Sequence, residues 1–320
     1  MERVAVFLLA AVPVISLVAA LLAAVANSTS DVLNRKVTRE EPVQLQFRAR
    51  LLLDLARHRL WLLSVLLMTA AFVLQAAALG TGQLAVVQPI VILELPLTLF
   101  LASRVLGGRL GRREWLGAAA MTAGVIGLLA LLDPQPGPAG QIPPVPLIIG
   151  SVTSGAVILA LFLAARYAAP RSRWGTAGQA ALLGVAAGLA YGLSAAYTKG
   201  LTDEFAAGGL RAVLTSWPLY AAAVAGIGAT WLLENAYQAG RLAAAQPGVT
   251  LADPLAGLIW GTAVFGEPVR GGAFRLLAVL PLLLLIAGAV ELSRSPVLRG
   301  AGAGGTAGQP PGVPAGEPAG

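Results

Sequence analysis

Two carboxylates lie deep inside apolar segments of this sequence. Glu94 and Asp253 each precede a proline, in the runs Glu94-Leu95-Pro96 and Asp253-Pro254. A carboxylate near the centre of a bilayer costs at least about 2.5 kcal/mol to insert, so it is normally kept for a function. A proline inside a helix frees backbone carbonyls, which bind cations or polar solutes where the helix lines a cavity. The sequence therefore predicts that Glu94 and Asp253 face one shared cavity and bind a proton or a cation. The alternative is that each acid is protonated and packs against a polar neighbour, contributing only to helix association.

Side-chain amides accompany both acids. Gln88-Pro89 and Gln246-Pro247 each lie one to two helical turns before the nearby carboxylate. An amide both donates and accepts hydrogen bonds, which suits an uncharged or zwitterionic solute. It also suits the simpler task of satisfying a carbonyl that the adjacent proline leaves unpaired. Gln75 and Tyr191 are further candidates for contact with a substrate or ion. Four polar residues that follow the first apolar segment are expected to solvate a helix end: Asn27, Ser28, Asp31 and Asn34.

The composition places the chain in a bilayer. It is 57% hydrophobic and only 12% charged, with a mean hydropathy of +0.78, and folding could not hide so much apolar surface from water. It contains no cysteine and one histidine, which excludes disulfides and any Cys or His metal cluster. We expect no cofactor. The net charge of +7 comes from arginines scattered between apolar segments, so we expect lipid rather than nucleic acid as the partner.

Nine segments are long and apolar enough to cross a bilayer, which needs roughly 17 to 25 residues of helix. They are Val4–Ala26, Leu60–Leu79, Leu84–Leu106, Trp115–Leu132, Val145–Ala165, Ala180–Thr198, Ala212–Leu233, Leu242–Phe265 and Ala273–Val290. Ala24-Val25-Ala26 resembles a signal-peptidase site, but the apolar run before it is much longer than the roughly 7 to 15 residues of a signal peptide. We therefore expect the first segment to be a true span.

The basic residues predict the orientation. Of the 22 lysines and arginines, 17 fall on the side that holds the loop between segments 1 and 2, and 5 fall on the other side. The positive-inside rule then places the amino terminus outside and the carboxyl terminus in the cytoplasm of a multi-pass protein of the plasma membrane.

An internal repeat organises the segments. Gly82 to Gly108 recurs as Gly240 to Gly266, with ten of 27 aligned positions identical, and prolines recur at matching places: Pro89 with Pro247, and Pro96 with Pro254. We expect a helix kink at each of these four prolines. Because an odd number of segments separates equivalent starting points, the second unit enters the membrane from the opposite face. The predicted domains are a first repeat (1–132, with a cytoplasmic loop at 27–59), a linker with the fifth segment (133–170), a second, inverted repeat (171–292) and a disordered cytoplasmic tail (293–320).

The two lysines of the chain, Lys36 and Lys199, occupy corresponding places in the two units. We expect them to anchor helix ends in the headgroup region, one on each face of the membrane. Glu267, which ends segment 8, is expected to cap a helix or to act in gating.

These features resemble the drug/metabolite transporter superfamily. The resemblance rests on the pattern Ala-x-x-x-Gly-x-Leu-Ala-x-x-Gln-Pro-x-Val followed by Pro-Leu, on Phe265-Gly266-Glu267-Pro268, and on the Arg112-Arg113-Glu114-Trp115 entry, and it covers roughly residues 4–290. Nine spans are more similar to the NIPA-like magnesium transporter branch than to the ten-span EamA-like branch. The Glu and Asn usual in one helix of the NIPA-like branch correspond here to Thr230 and Leu233. The resemblance therefore implies the fold and the transport class alone.

Together these observations predict an all-α polytopic membrane protein that acts as a secondary active transporter of a small metabolite or cation by alternating access. A magnesium or other divalent-cation transporter of the NIPA-like type is one alternative, and a non-transporting scaffold or sensor is another. Isolated carboxylates and a single histidine give no catalytic cluster, so we do not expect an enzyme. A homodimer is compatible with the sequence.

Overall fold

The computed structural model describes residues 2–40, 59–105, 110–138, 144–168, 175–239 and 242–295. Within these ranges the regular structure is entirely helical. The predicted tail from residue 296 and the predicted loop residues 41–58 lie outside the described residues. The helices, numbered in chain order, are α1 (Glu2–Glu40), α2 (Arg59–Thr81), α3 (Leu84–Val91), α4 (Glu94–Val105), α5 (Arg112–Leu132), α6 (Pro144–Leu163, continued by a π-helical turn at Ala164–Ala168), α7 (Gly175–Thr215), α8 (Trp217–Ala239), α9 (Leu242–Ala263), α10 (Ala273–Leu277) and α11 (Val279–Ser293).

The helices have the length and apolar character of membrane spans. Among the described residues, seven stretches meet both criteria: Val14–Leu33, Arg59–Thr81, Leu84–Val105, Arg112–Leu132, Pro144–Ala168, Gly175–Thr215 and Ala273–Ser293. These confirm a multi-pass membrane protein. Helices α8 and α9 have 23 and 22 residues, which is enough to span a bilayer, but they are not among the seven. The count of nine spans stays a prediction.

Two helices extend well beyond the predicted apolar segments. α1 continues from Ala26 to Glu40, so residues 27–40 of the predicted cytoplasmic loop are helical. α7 continues past Thr198 to Thr215 and changes direction at Gly209, whose φ of 64° is accessible to glycine at little cost. The predicted ends of these two helices were wrong because hydropathy shows where a chain leaves the lipid, and not where its helix ends. A helix continues beyond the lipid as long as its backbone hydrogen bonds are satisfied.

The first copy of the repeat is a broken helix. α3 ends at Val91 and α4 begins at Glu94. Between them the backbone N–H groups bond the carbonyl three residues earlier instead of four, as from Leu95 N–H to Ile92 O over 3.1 Å. Pro96 is the cause, since its missing N–H and its ring both disrupt bonding to the carbonyl of Ile92, four residues earlier. In the second copy, Pro247 and Pro254 lie inside one continuous helix, α9. The helix is therefore interrupted in the first copy only, and the kinks expected at the four prolines stay predictions.

Small residues bring α7 and α9 into close contact. A Cβ added at Gly184 would lie 2.3 Å from the carbonyl oxygen of Ala245, and one at Gly188 would lie 2.6 Å from that of Val249. The two backbones thus approach as closely as glycine allows, which is how helices associate in the absence of a hydrophobic driving force. The other extensive helix contacts pair α7 with α8, α1 with α2, α5 with α11, and α3 with α9.

Two connecting segments meet at one end of the bundle. Arg270 Nη2 lies 2.9 Å from Asp133 Oδ2, and the Gln135 N–H donates to Pro268 O over 2.9 Å. The segments that follow α5 and α9 therefore lie on the same side, as their predicted placement requires.

Candidate functional site

A cavity of about 180 Å³ lies beside the break between α3 and α4. Its wall is formed by α1, α2, α3 and α4, all within the first unit. The lining combines three polar side chains with apolar ones, and consists of Ala23, Asn27, Met68, Ala71, Phe72, Gln75, Val91 and Glu94. A mostly apolar concave site with a few polar groups is the usual form of a small-molecule site.

Glu94 is held in this cavity from two directions. Asn27 Nδ2 donates to Glu94 Oε2 over 2.8 Å, which fixes the carboxylate toward α1. Glu94 is also the first residue of α4, where the partial positive charge of a helix N-terminus favours a carboxylate. The break caused by Pro96 thus creates the helix start that accommodates the acid. The carboxylate is therefore held in one orientation. It can accept hydrogen bonds from a solute in the cavity or pair with a positively charged one.

The polar residues that follow the first apolar segment are part of this site. Ser28 is fully buried and its Oγ donates to Ala24 O over 2.6 Å and to Glu94 O over 3.0 Å. The expectation that Asn27 and Ser28 solvate a helix end was wrong, because α1 continues for three more turns and places both against α4. Their position just after the apolar run gave no signal of this contact.

Asp253 lies elsewhere. It is absent from the lining of the cavity that Glu94 faces, so that cavity does not bring the two acids together. Its Oδ1 is buried and has no hydrogen-bond partner among the described residues. It lies beside Gly192 of α7, where an added Cβ would be 3.4 Å from this oxygen. The two acids correspond within one position in the repeat, yet they occupy different environments.

The predicted glutamines and tyrosine have separate partners. Gln75 lines the cavity with Glu94. Gln88 is 1% exposed, and within the part of the chain that the structure describes neither polar atom of its amide has a hydrogen-bond partner. Gln246 accepts a hydrogen bond from the Tyr237 hydroxyl over 2.8 Å. Tyr191 lies outside the cavity lining, with its hydroxyl 3.1 Å from Thr230 Oγ1. The sequence thus placed two of its six candidates, Glu94 and Gln75, in the cavity.

A buried charge pair that the sequence did not reveal closes one end of the bundle. Glu267 is 2% exposed and accepts the backbone N–H groups of Leu84 and Ala85 over 2.8 and 2.9 Å. These are unsatisfied donors of the first turn of α3, so Glu267 caps that helix, although it follows a different one. Lys199 Nζ lies 3.8 Å from Glu267 Oε1 and donates to Leu79 O and Gly82 O over 3.2 and 2.8 Å. Lys199 is therefore a largely buried structural group rather than the headgroup anchor expected.

Burial raises the pKa of the Glu267 carboxyl above its ordinary value. The two backbone N–H groups and Lys199 act in the opposite direction, and Asp203 adds a smaller rise. The charge of this end of the bundle is therefore sensitive to pH.

No group of three or more His, Asp or Glu side chains that would hold a metal occurs in the part of the chain that the structure covers. In the lining of the cavity, Glu94 is the one carboxylate that could bind a positively charged group.

Comparison with known proteins gives one relative. The chain is 27% identical over 281 residues to an uncharacterized protein of Corynebacterium glutamicum, which covers 87% of this chain and 94% of that protein. No protein-family model matches the chain, and no solved structure matches it.

Proposed function

We propose that the protein is a secondary active transporter that moves a small solute across the plasma membrane by alternating access. The observation that carries the proposal is the cavity at the α3–α4 break, where an oriented carboxylate and two amides face apolar walls inside the membrane-spanning region. Discontinuous helices next to a polar site at mid-membrane are characteristic of secondary transporters. In the proposed arrangement, nine spans form two inverted four-helix units, with α6 as the linker helix between them.

The packing of equivalent helices supports alternating access. α2 contacts α7 near Lys199, where a Cβ on Gly80 would lie 3.1 Å from Thr202 Cβ. Under the repeat, the corresponding helices are α8 and α1, and these make no comparable contact among the described residues. One end of the bundle is thus held together while the equivalent end is not, as expected for one state of a rocking cycle. Since the charge bias puts Lys199 outside, we assign this state as inward-facing.

The lining of the cavity favours a solute with one positive charge and an apolar part. Glu94 supplies the negative charge, and Asn27 and Gln75 supply amide groups. Met68, Phe72 and Val91 supply the apolar surface, and an aromatic face also attracts a cation. A protonated organic amine of modest size matches this set. Mg²⁺ fits it less well, because that ion keeps several waters and is usually bound through more than one carboxylate or a phosphate.

A binding experiment tests the proposal before any transport assay. Purified protein is melted in the presence of small organic amines, their neutral hydroxyl analogues, zwitterionic amino acids and MgCl₂. A compound that binds the folded state raises the melting temperature. We expect the amines to do so, and Glu94→Gln to abolish the effect while Glu114→Gln, an acid outside the cavity, retains it. Uptake of the best amine into proteoliposomes by the wild type then distinguishes a transporter from a scaffold or sensor. Equal stabilisation by amines and neutral analogues, or no change with Glu94→Gln, would contradict the assignment.

A further inference from the structure

The buried oxygen of Asp253 lies where three helices meet. Ala252 and Ala256 of α9 face α7, since added Cβ atoms at Gly188 and Gly192 would come within 2.8 and 2.5 Å of their Cβ atoms. Gly257, on the other side, faces α3, since an added Cβ would come within 2.4 Å of Gln88 Cγ. At about 100° per residue around a helix, Asp253 falls between these two faces. It therefore occupies the junction of α3, α7 and α9.

The amide of Gln88 shares this junction. Gln88 packs on Gly257, one helical turn beyond Asp253 on the same side of α9. Both polar atoms of its side chain and Oδ1 of Asp253 are buried, and no residue in the described ranges forms a hydrogen bond with them. Leaving such groups buried and unpaired lowers the stability of the fold, and more so when the group is charged. Both side chains lie against the same stretch of α9, so one small region carries two unsatisfied polar groups. Such a cost to stability is expected where the groups act in another step of the cycle.

The surroundings of Asp253 favour a proton over a metal cation. A metal ion needs several oxygen ligands, and the described residues assemble no acid cluster around this position. A proton needs one oxygen. An ionised carboxylate without a donor or counter-ion is strongly disfavoured in an apolar interior, whereas a neutral acid is tolerated there.

Few ionisable groups face the site from the surrounding helices. Tyr191 of α7 lies within electrostatic range of Asp253, and Glu234 of α8 and Asp31 of α1 lie within range of Tyr191. α3 carries no ionisable residue, and Glu291 of α11 packs near Gly117 of α5 instead. No basic side chain among these groups would hold Asp253 ionised.

We infer that Asp253 and Gln88 form a proton-binding pair, separate from the solute cavity at Glu94, whose loading and release drive the transport cycle. The amide suits both protonation states, because Oε1 accepts from the neutral acid and Nε2 donates to the carboxylate. The proton is taken up by Asp253 Oδ and returned to water when the junction opens. No covalent bond other than this O–H forms or breaks. The inference rests on the proposed transport function for its role as a driving step, but the protonation itself does not.

Infrared difference spectroscopy on the purified protein in lipid, with the pH stepped from alkaline to acid, tests this directly and requires no solute. Other carboxyls, including Glu267, also add to the acid signal, so the variants identify the contribution of Asp253. We expect the wild-type carboxylic-acid carbonyl band to contain a component that Asp253→Asn removes and that Glu94→Gln and Glu267→Gln both retain. Gln88→Leu should keep the Asp253 component but shift its frequency, because it removes the amide that we propose bonds the acid when the two side chains turn toward each other. Asp253→Glu, which keeps the acid, serves if Asp253→Asn does not fold, and should keep the band at an altered frequency.

Three results would overturn the inference: no acid band in the wild type, a band that Asp253→Asn leaves unchanged in every component, or loss in Glu94→Gln of the same component that Asp253→Asn removes. A frequency unaffected by Gln88→Leu would remove Gln88 from the pair. Failure of the transport proposal would leave the infrared result unchanged, whereas amine uptake without an acid band at Asp253 would refute the proton site alone.

Discussion

Lys199 Nζ lies 3.8 Å from Glu267 Oε1, and together these two side chains bind both ends of the turn between α2 and α3. Lys199 accounts for carbonyls at the end of α2, and Glu267 for N–H groups at the start of α3. Because they are carried by α7 and by the segment after α9, the pair links both units of the proposed repeat at one end.

Removing this pair one partner at a time should be costly. We expect Glu267→Gln to lower the free energy of unfolding by about 3–5 kcal/mol, as for breaking a buried ion pair, since Lys199 is left buried without its counter-charge. Lys199→Met should have a similar effect. In the double variant the losses should not add, with a coupling energy of about 0.5–3 kcal/mol. Denaturant titration in detergent measures this, with Glu114→Gln as the control. Strict additivity would mean that the two side chains act independently.

The pH dependence of stability should report the raised pKa of Glu267. A carboxyl whose folded pKa lies above its unfolded value contributes stability that is complete below the unfolded pKa and is lost as pH rises through the folded pKa. The stability of the wild type relative to Glu267→Gln should therefore decline from acid toward neutral pH. Melting curves of both proteins across that range measure the difference. If the stability advantage of the wild type instead grew with pH, Lys199 and the two N–H groups would lower the pKa of Glu267 by more than burial raises it.

The glycine stripe of α7 offers a matched pair of substitutions. An added Cβ at Gly184 would lie 2.3 Å from a backbone oxygen of α9, whereas one at Gly200 meets nothing within 4 Å. Gly184→Ala should lower stability by about 1–3 kcal/mol through overpacking. Gly200→Ala, in the same helix, should be neutral or slightly stabilising, because alanine favours a helix over glycine. Thermal melts of both variants decide, and equal melting temperatures would show that α7 and α9 are not in tight contact.

Some of this architecture could be predicted from the sequence, because it depends on local chemistry. Apolar runs predicted the helices, and Pro96 predicted a distortion of the helix close to Glu94. The partner of Glu94 could not be predicted, since Asn27 follows the end of an apolar run and hydropathy cannot show that the helix continues.

Contacts between side chains and helix ends that are far apart in the sequence could not be predicted either. Nothing near Glu267 indicates that its carboxylate caps α3, and nothing near Lys199 indicates that its ammonium bonds the end of α2. The similarity of the two repeats also misled, because it predicted one environment for Glu94 and Asp253. Their neighbours differ: the break in the first copy exposes Glu94 to a cavity, whereas the continuous α9 presents Asp253 to glycines of α7.

Asn27 should control the affinity for the solute without controlling the fold. Asn27→Leu removes the donor that orients Glu94 Oε2, and loss of a hydrogen bond to a charged group is worth about 1.5–3 kcal/mol. We expect amine binding to weaken by roughly 10- to 150-fold, with the melting temperature of the free protein little changed. Thr29→Val is the control, since Thr29 bonds only the carbonyl of Val25 in its own helix. The dissociation constant comes from the amine dependence of the melting temperature. An unchanged constant would remove Asn27 from the site.

A disulfide across the closed end should arrest the protein in one state. The chain has no cysteine, so paired cysteines can be introduced without background. An added Cβ at Gly80 lies 3.1 Å from Thr202 Cβ, and a small relaxation reaches the Cβ separation of about 3.5–4.5 Å that a disulfide requires. Gly80→Cys with Thr202→Cys should therefore cross-link readily on mild oxidation in native membranes.

If this end must open during the cycle, oxidation should abolish amine uptake and a reductant should restore it, while each single-cysteine protein remains insensitive to both. Amine binding in detergent should survive, because neither Gly80 nor Thr202 lines the Glu94 cavity. Full uptake by the cross-linked protein would show that α2 and α7 need not separate, and the inward-facing assignment would then have no mechanical basis.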